Sequence, residues 1–594
     1  MKWIENIRKM EAKILCIGSH APIIQSMLDF DFLSGKEGPS VKAIIAGGRR
    51  FERYFFGKKQ VMIPVFDRIE SVPSDIAKGL TFFFNTTSAR RAKQSTLEVL
   101  NFFPQISGGT IFAENIPEQH SLEIYRFAKD NKKFIIGPSS VGILVPGKIK
   151  VGAIGGTDYR QLVASDVMRP GNVAVFSASG GMTNEIIQIV AQQGRGLSFA
   201  LSFGGDRFPV LTPKEAMLAA QDDPQADVIV YYGELGGTDE YDIVELLESK
   251  RLTKQVICYI AGTVSDLFAT PPQFGHAKAM AKSKGESATE KREALRKAGA
   301  LVGDTFVEFV EYIKKSKARL REAGDYSGKI SEMSGRTSAL ITTTVSSDHN
   351  GEATIMGENL LDFVKARSFS GIVAGLFLGK KDVSREMEDF VDFVLRLLVD
   401  HGPYVSGAVN TIVTARAGRD LVSSLATGLL TIGSRFGGAI NEAAANWLKG
   451  VREAKSAYDF VEGFAAEKKY ISGIGHRKYR VDLPDPRVGS LLEFAKGLKK
   501  KRFTSFALEV QKITTAKKGN LILNVDGAIG AVLLDILSEK EGLTDKELGR
   551  LVEIEFFNAL FVLSRSVGFI GHFLDQKRLD EGLFRLPEEL VLES

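Results

Sequence analysis

Val173-Ala-Val-Phe-Ser-Ala-Ser-Gly-Gly-Met-Thr-Asn-Glu185 opens as a run of β-branched and aromatic residues and then breaks into serines and glycines that lead into a helical pattern. A strand that stops there and feeds a helix turns free backbone N–H groups, and the positive end of the helix dipole, toward whatever lies above the sheet edge. Ser177, Ser179, Gly180 and Gly181 are therefore candidates for holding a phosphate or a carboxylate. The same residues also suit simple capping of a β-to-α turn, and this segment taken alone leaves both readings open.

The theme repeats outward from this point. Ile14 to Ile17 stops at Gly18, Phe82 to Phe84 at Asn85, Phe134 to Ile136 at Gly137, Val228 to Tyr232 at Gly233, and Val256 to Ile260 at Ala261-Gly262. Short, continuously apolar runs separated by helical stretches predict parallel strands buried on both faces, a doubly wound α/β architecture with ligands at the carboxyl ends of the strands. Ser165 to Gly171 interrupts the rhythm and predicts a seam between two α/β domains. Lys314 to Arg336 is charged and punctuated by Gly and Ser, and after Asp348 the alternation does not resume. From about Asn359 the pattern is helical: Met387, Phe390, Val391, Val394, Leu395 and Leu398 fall on one face. The expected domains are 1–168, 169–325, a linker at 326–358, and a mainly helical domain at 359–594.

A chain of 594 residues exceeds a single small module, and 44% hydrophobic with 25% charged residues is ordinary globular composition. A net charge of +5 over so large a surface is not the basic stripe that nucleic acid requires. The two cysteines, Cys16 and Cys258, lie in separate apolar runs, which offers neither a disulfide framework nor a cysteine zinc site. With no signal-peptide core and no run of apolar residues long enough to span a bilayer, the expectation is a cytoplasmic protein without membrane or nucleic-acid partners.

Two further constellations carry chemistry. Glu234 sits on a Gly-rich turn at one strand end, and His276 in Phe274-Gly-His-Ala277 follows the next strand. A carboxylate that orients an imidazole leaves its other nitrogen free as a nucleophile. In the helical part, three polar islands flanked by glycine, Asp400-His-Gly-Pro403, Gly473-Ile-Gly-His-Arg477 and Asn524-Val-Asp-Gly527, present His401, His476 and Asp526 for acid/base work. Arg487, Arg565 and Arg585 are cations that could grip carboxylates, although a lone arginine more often serves a surface ion pair.

Several strings carry a resemblance. Glu114-Asn-Ile-Pro117, Ile136-Gly-Pro-Ser-Ser140, Ser177 to Glu185, Gly204-Gly-Asp206, Gly233-Glu-Leu-Gly-Gly237 and Phe274-Gly-His-Ala277 make the front half similar to the α subunit of succinyl-CoA synthetase. Asp400-His-Gly402, Gly473 to Arg477, Pro484-Asp-Pro-Arg487, Asn524 to Gly527 and Ser564-Arg-Ser-Val-Gly-Phe569 make the back half similar to citrate synthase. Joined in this order, and with Met27-Leu-Asp-Phe-Asp31, Asp420-Leu-Val-Ser-Ser424, Gly428 to Gly433, Ile513-Thr-Thr515, Asn520 to Gly527 and Gly568 to Arg578, the chain resembles the ATP-citrate lyase family over nearly its whole length.

The resemblance implies a Rossmann-like CoA-binding domain, a flavodoxin-like ligase domain and a citrate synthase-like domain. It implies ATP, CoA and Mg²⁺ as cofactors, with citrate cleaved to acetyl-CoA and oxaloacetate. No GxxxxGK[ST] loop is present, and an ATP-grasp partner subunit is expected to supply the nucleotide, this chain resembling the α subunit of a two-subunit enzyme. His276 would carry the phosphoryl group, oriented by Glu234, which is also the candidate Mg²⁺ ligand, with Ser177, Ser179, Gly180 and Gly181 around the phosphate. His476 would take the hydroxyl proton of citryl-CoA, Asp526 would protonate the enolate, and His401 would orient the substrate. Arg487, Arg565 and Arg585 would bind carboxylates, Arg585 across a homo-oligomer formed by the helical domain. Gly137, Pro138, Ser139, Arg477, Lys517 and Lys518 are the candidate CoA contacts. Two departures stand out. Gly437-Gly-Ala-Ile-Asn441 replaces a segment that carries a histidine in citrate synthase, and Lys278 replaces a glycine. A citrate synthase running toward citrate, a ligase for another acid and a non-catalytic CoA-binding scaffold remain as alternatives.

Overall fold

The apolar runs of the front half become the strands of two seven-stranded sheets. In this computed structural model the structure describes residues 3–268, 279–281, 283–348, 351–433, 436, 439–453 and 456–593. They fall into two units, Met1–Leu340 and Ile341–Ser594. The first sheet holds β1 (Ile14–Ile17), β2 (Val41–Ile45), β3 (Phe51–Phe56), β4 (Lys59–Phe66), β5 (Phe82–Asn85), β6 (Gly108–Ile111) and β7 (Phe134–Ile136) in the order β3-β4-β2-β1-β5-β6-β7. Only the edge strand β3 runs antiparallel to its neighbour. Every residue of β1 and β5 is buried, as expected of central strands covered by helices on both faces.

The second sheet holds β8 (Ile143–Val145), β9 (Ile149–Val151), β10 (Val173–Ser177), β11 (Leu197–Ser202), β12 (Val228–Glu234), β13 (Gln255–Ala261) and β14 (Leu301–Val302) in the order β14-β13-β12-β10-β11-β8-β9. Strands β10 to β14 are parallel, and the β8–β9 hairpin adds antiparallel to β11. This sheet thus takes two strands from before the seam read at 165–171, and the hairpin covers what would otherwise be an open edge at β11. Cys16 in β1 and Cys258 in β13 are buried free thiols, and burial pushes both thiol pKa values up.

The stretch expected to be a linker begins as part of the first unit. Tyr326 donates to Asp166, Lys329 Nζ to the Leu33 carbonyl at 2.7 Å and Arg336 Nε to the Gly57 carbonyl at 3.1 Å, so the helix Ser327–Ser334 is strapped down at both ends.

In the second unit a small three-stranded sheet (Ser346–Ser347, Thr354–Ile355, Glu358–Asn359) precedes a helical domain. Its axis is the helix Val525–Glu539, buried from Gly527 through Leu537 and packed among Ala439–Glu453, Pro486–Lys496 and Arg502–Lys517. The helix Phe556–Arg578 is long and apolar enough, by length and composition, to cross a bilayer. Here it buries Phe557, Leu560 and Phe569 in the helical core and carries Ser564, Arg565 and His572.

Candidate active sites

Within the first unit, the loops after the strands of both sheets pack together. Ser177 Oγ accepts from the Ser179 amide at 3.0 Å, and Ser179 N-caps the helix Gly180–Gln192 by accepting from Met182 N at 3.4 Å. A Cβ on Gly180 would come within 2.5 Å of Val141, whereas one on Gly181 would meet nothing within 4 Å. Glycine at 180 is thus a packing requirement, and glycine at 181 leaves the helix start open. The Gly137-Pro138-Ser139 turn lies next to it: a Cβ on Gly204 would approach the Pro138 carbonyl to 1.8 Å, and Val210 N donates to the Gly137 carbonyl at 2.9 Å. Asp206 accepts from the amides of Asn115 and Ile116, both at 3.3 Å, tying the β6 loop to the β11 loop.

Glu234 is the last residue of β12, and its turn is held from behind by Lys291. That ammonium, fully buried, donates to the Glu234 carbonyl at 2.9 Å and the Gly236 carbonyl at 2.7 Å and pairs with Glu240 at 2.6 Å. Tyr231 completes the knot by donating to Glu240 at 3.0 Å. His276 and Lys278 lie outside the described residues, so the Glu234–His276 pairing and the altered loop are not seen. Among the described residues no group of three His, Cys, Asp or Glu side chains gathers to hold a metal.

A cleft of about 760 Å³ opens at the carboxyl edge of the first sheet, lined by Gly18, Gly47, Arg68, Ser88, Arg91 and Glu98 among others. Ser88 starts the helix Ala89–Phe102 there. Gly137 to Ser139 follow β7 at the carboxyl edge of the same sheet.

The second unit gathers the three polar islands into one cluster. Gly473 and Gly527 allow it: a Cβ on Gly527 would lie 2.3 Å from the Gly473 carbonyl, and Gly473 itself has φ +97°. The Gly473–His476 segment runs beside Asn520–Asn524, with Gly475 N donating to Ile522 O at 2.7 Å, His476 N to Asn520 O at 3.0 Å and Asn524 N to Gly473 O at 3.0 Å. His476 is thereby set beside the first turn of Val525–Glu539, where Asp526 sits. Asp485, from Pro484-Asp-Pro-Arg487, grips Arg487 with two bonds of 3.0 and 2.7 Å, and Arg487 Nη1 reaches His401 Nδ1 at 3.4 Å. Arg565 is 5% exposed, and among the described residues nothing accepts a hydrogen bond from its buried Nε and Nη1.

The electrostatics follow from this crowding. Burial pushes Asp526 up to about 6, although Arg487 and Arg565 pull it back. Burial, reinforced by Arg487 and Arg565, holds His401 below its ordinary value. His476 is lowered as well, by burial first, with Asp485 opposing and Arg487 and His401 adding to it. Burial opposes the charges on Asp485 and Asp400, but the bonds each accepts outweigh it and both are lowered. Burial lowers Arg565.

The tautomers are fixed by donors that can only donate. A guanidinium faces Nδ1 of His401, and the amides of Lys478 and Tyr479 both donate to Nδ1 of His476 at 3.0 Å. Each neutral ring therefore keeps its proton on Nε2. With Nδ1 taken up by two backbone amides, the neutral His476 ring offers its Nε2–H as a donor.

The other candidates lie apart. Arg477, Lys518 and Arg585 are exposed, and Lys517 pairs with Glu462 at 2.5 Å. Asn441, in the stretch that lacks the histidine, donates its side-chain amide to Val552 O at 3.0 Å and does not join the cluster. Asp485, Asp400 and His572 are participants that the sequence reading passed over, although each lies inside a quoted motif.

Comparison with known proteins follows the same division. Residues 176–301 match the family model for CoA-ligase, and residues 241–586 that for the citrate synthase C-terminal domain. ATP-citrate synthase beta chain protein 1 of Arabidopsis thaliana is 39% identical over 586 residues, covering 96% of each chain. A probable ATP-citrate synthase of Caenorhabditis elegans is 38% identical over 613 residues, covering 99% of this chain but 55% of that one, so the chain spans about half the length of such relatives. Among solved structures, ATP citrate lyase from Methanothrix soehngenii in complex with citrate and coenzyme A aligns with 98% of this chain and 97% of its own, at 34% identity and a TM-score of 0.51.

Proposed function

The chain belongs to the ATP-citrate synthase family, and from that premise we propose that it cleaves citrate to acetyl-CoA and oxaloacetate, at the expense of ATP and CoA, together with an ATP-grasp partner subunit. The subunit that the sequence reading designates α corresponds to the one named beta chain in Arabidopsis. The observation that carries the reading is the cluster of the second unit: two guanidiniums, two imidazoles fixed as Nε2–H donors, and one carboxyl group held near pKa 6.

In the first unit, His276 takes the γ-phosphoryl group of Mg-ATP from the partner and passes it to a citrate carboxylate, the P–N bond breaking as the P–O bond forms. Glu234 orients the ring, and the open helix start at Gly181 receives the phosphoryl oxygens. The CoA sulfur then displaces phosphate from the acyl carbon to give citryl-CoA. The cleft beside Arg68, Arg91 and Ser88 fits the nucleotide end of CoA.

In the second unit, Arg565 and Arg487 hold citryl carboxylates, Arg565 because its buried Nε and Nη1 meet no acceptor among the described residues. Asp526 as carboxylate takes the hydroxyl proton, and the C–C electron pair moves to the acetyl-CoA carbon as the C=O bond forms. His401 and His476 donate to the oxygens on which charge develops. Asp526 returns its proton to the enolate carbon. We place Arg585 in the site of a neighbouring copy, and the reaction in the cytoplasm.

The deciding experiment supplies citryl-CoA to the full chain without ATP. Acetyl-CoA and oxaloacetate should form at a rate that His276→Ala leaves unchanged, while His276→Ala abolishes ATP-dependent citrate cleavage in the presence of the partner. Loss of both activities in that variant would reject the two-site division. Mixing Arg585→Ala with Asp526→Asn should restore activity in mixed oligomers if Arg585 acts across the interface.

A further inference from the structure

The helix Phe556–Arg578 presents Arg565, Gly568 and His572 at three- and seven-residue intervals, which puts all three on one face. Arg565 belongs to the cluster described above; the other two meet the loop that carries His401. A Cβ on Gly568 would lie 2.2 Å from the Val399 carbonyl and 3.2 Å from Asp400 Oδ1, so the helix backbone is pressed directly onto that loop. One turn on, His572 Nε2 lies 3.1 Å from Asp400 Oδ1. Ser564 anchors the same helix to the end of Arg385–Leu397, the helix that leads into that loop, donating to Leu395 O at 2.5 Å.

Asp400 is where this grip takes effect. Its Oδ2 accepts from Gly402 N at 2.8 Å, and its carboxylate also draws the His401 amide. The two bonds bracket His401, closing the turn in which Gly402 sits at φ +91° and from which the ring meets Arg487. An ionised carboxylate only accepts, so His572 must donate through Nε2–H. The carboxylate has two oxygens: one is committed to the Gly402 amide, and the other is held by His572. Without that bond, the carboxylate keeps only the amides of its own turn, and the turn that aims the His401 ring is held less firmly.

We propose that His572 is a positioning residue for the lyase reaction, aligning His401 through Asp400, and the proposal rests on the reading of the cluster as the citryl-CoA cleavage site. It touches no substrate; it acts on the turn. Because Arg487 and Arg565 grip the substrate independently of it, a defect at His572 should fall on turnover and not on binding.

The test measures citryl-CoA cleavage by the full chain. His572→Ala should lower kcat by roughly 10- to 100-fold, the cost of a misplaced catalytic group, with KM changed by less than about threefold. His572→Gln, whose amide N–H reaches about as far as Nε2, should recover most of kcat, and the shorter His572→Asn should not. A wild-type kcat in His572→Ala, or equal impairment of the Gln and Asn variants, overturns the proposal. Should the Ala variant fail to fold, the Gln and Asn pair decides alone. Arg565→Ala run alongside separates the two levels: if it cleaves citryl-CoA normally, the site reading fails first and the proposal with it.

Discussion

The indole of Trp447 donates to the carbonyl of Gly527 at 3.0 Å, inside the first turn of the helix that carries Asp526. Trp447 is fully buried, and its ring also backs Gly473, so one large side chain sets the distance between the Gly473–His476 segment and the helix start. His476 and Asp526 are therefore placed by packing that involves neither of them.

Gly527→Ala puts a methyl group where the Gly473 carbonyl already stands, 2.3 Å away. Relief requires the segment to move off the helix. The variant should lose about 1–3 kcal/mol of stability, as overpacked cores do, and lose citryl-CoA cleavage by more than that destabilisation explains. Thermal unfolding and kcat measured well below the transition check both halves.

Asp526 offers a pH test with a defined sign. Its folded pKa, about 6, stands above its ordinary value of 3.8. Below about pH 4 the group is protonated in folded and unfolded chains alike and costs nothing; between about pH 4 and 6 the unfolded chain sheds the proton that the folded chain still keeps, so stability falls across that window and levels off above it. Asp526→Asn should accordingly raise the unfolding temperature near neutral pH and leave it unchanged near pH 4, while abolishing cleavage. In the wild-type chain kcat/KM should rise with pH through about 6, because the carboxylate is the form that takes the proton.

Arg565 Nε and Nη1 meet no acceptor among the described residues, and a ligand carboxylate would supply one. Citrate should raise the unfolding temperature of the wild-type chain, through the linkage between binding and folding. Arg565→Met should lose that response and cleavage together, yet unfold at an equal or higher temperature without ligand, since a buried unpaired guanidinium is removed. Differential scanning fluorimetry with and without citrate reads all three.

The sequence made the strands legible because runs such as Phe82 to Phe84 are continuously apolar and end at turn residues. The β8–β9 hairpin escaped notice because its strands are three residues long and β9 centres on Lys150, which reads as exposed but is buried and donates to the Gly152 carbonyl at 2.6 Å. His401, His476 and Asp526 stood out as polar residues among glycines in apolar surroundings. Asp485, Asp400 and His572 did not, because their parts lie in whom they pair with, and Asp400 meets a partner 172 residues along the chain. The tautomer of His476 was equally invisible, since two backbone amides decide it. Arg585 and Arg477, chosen for charge and motif position, are exposed and stand outside the cluster.

Behind Glu234, the Lys291–Glu240 pair is sealed from water, with side-chain exposures of 0% and 4%. Lys291→Met strands the Glu240 carboxylate and should cost about 3–5 kcal/mol. Adding Glu240→Gln to that variant should recover much of the loss. Denaturant unfolding of the single and double variants measures the coupling, and ATP-dependent phosphorylation of the chain should fall in both, because the Glu234 and Gly236 carbonyls lose their donor in each.

With both imidazole protons on Nε2 and two guanidiniums beside them, the groups that the proposed mechanism sets against the citryl oxygens are donors, apart from Asp526. Such a wall recognises its ligand by what the ligand lacks. A citrate analogue in which a carboxylate is replaced by a carboxamide would set its own N–H groups against these donors. The exchange keeps the size and shape of the molecule, so the pocket should reject it by hydrogen polarity where it cannot reject by volume.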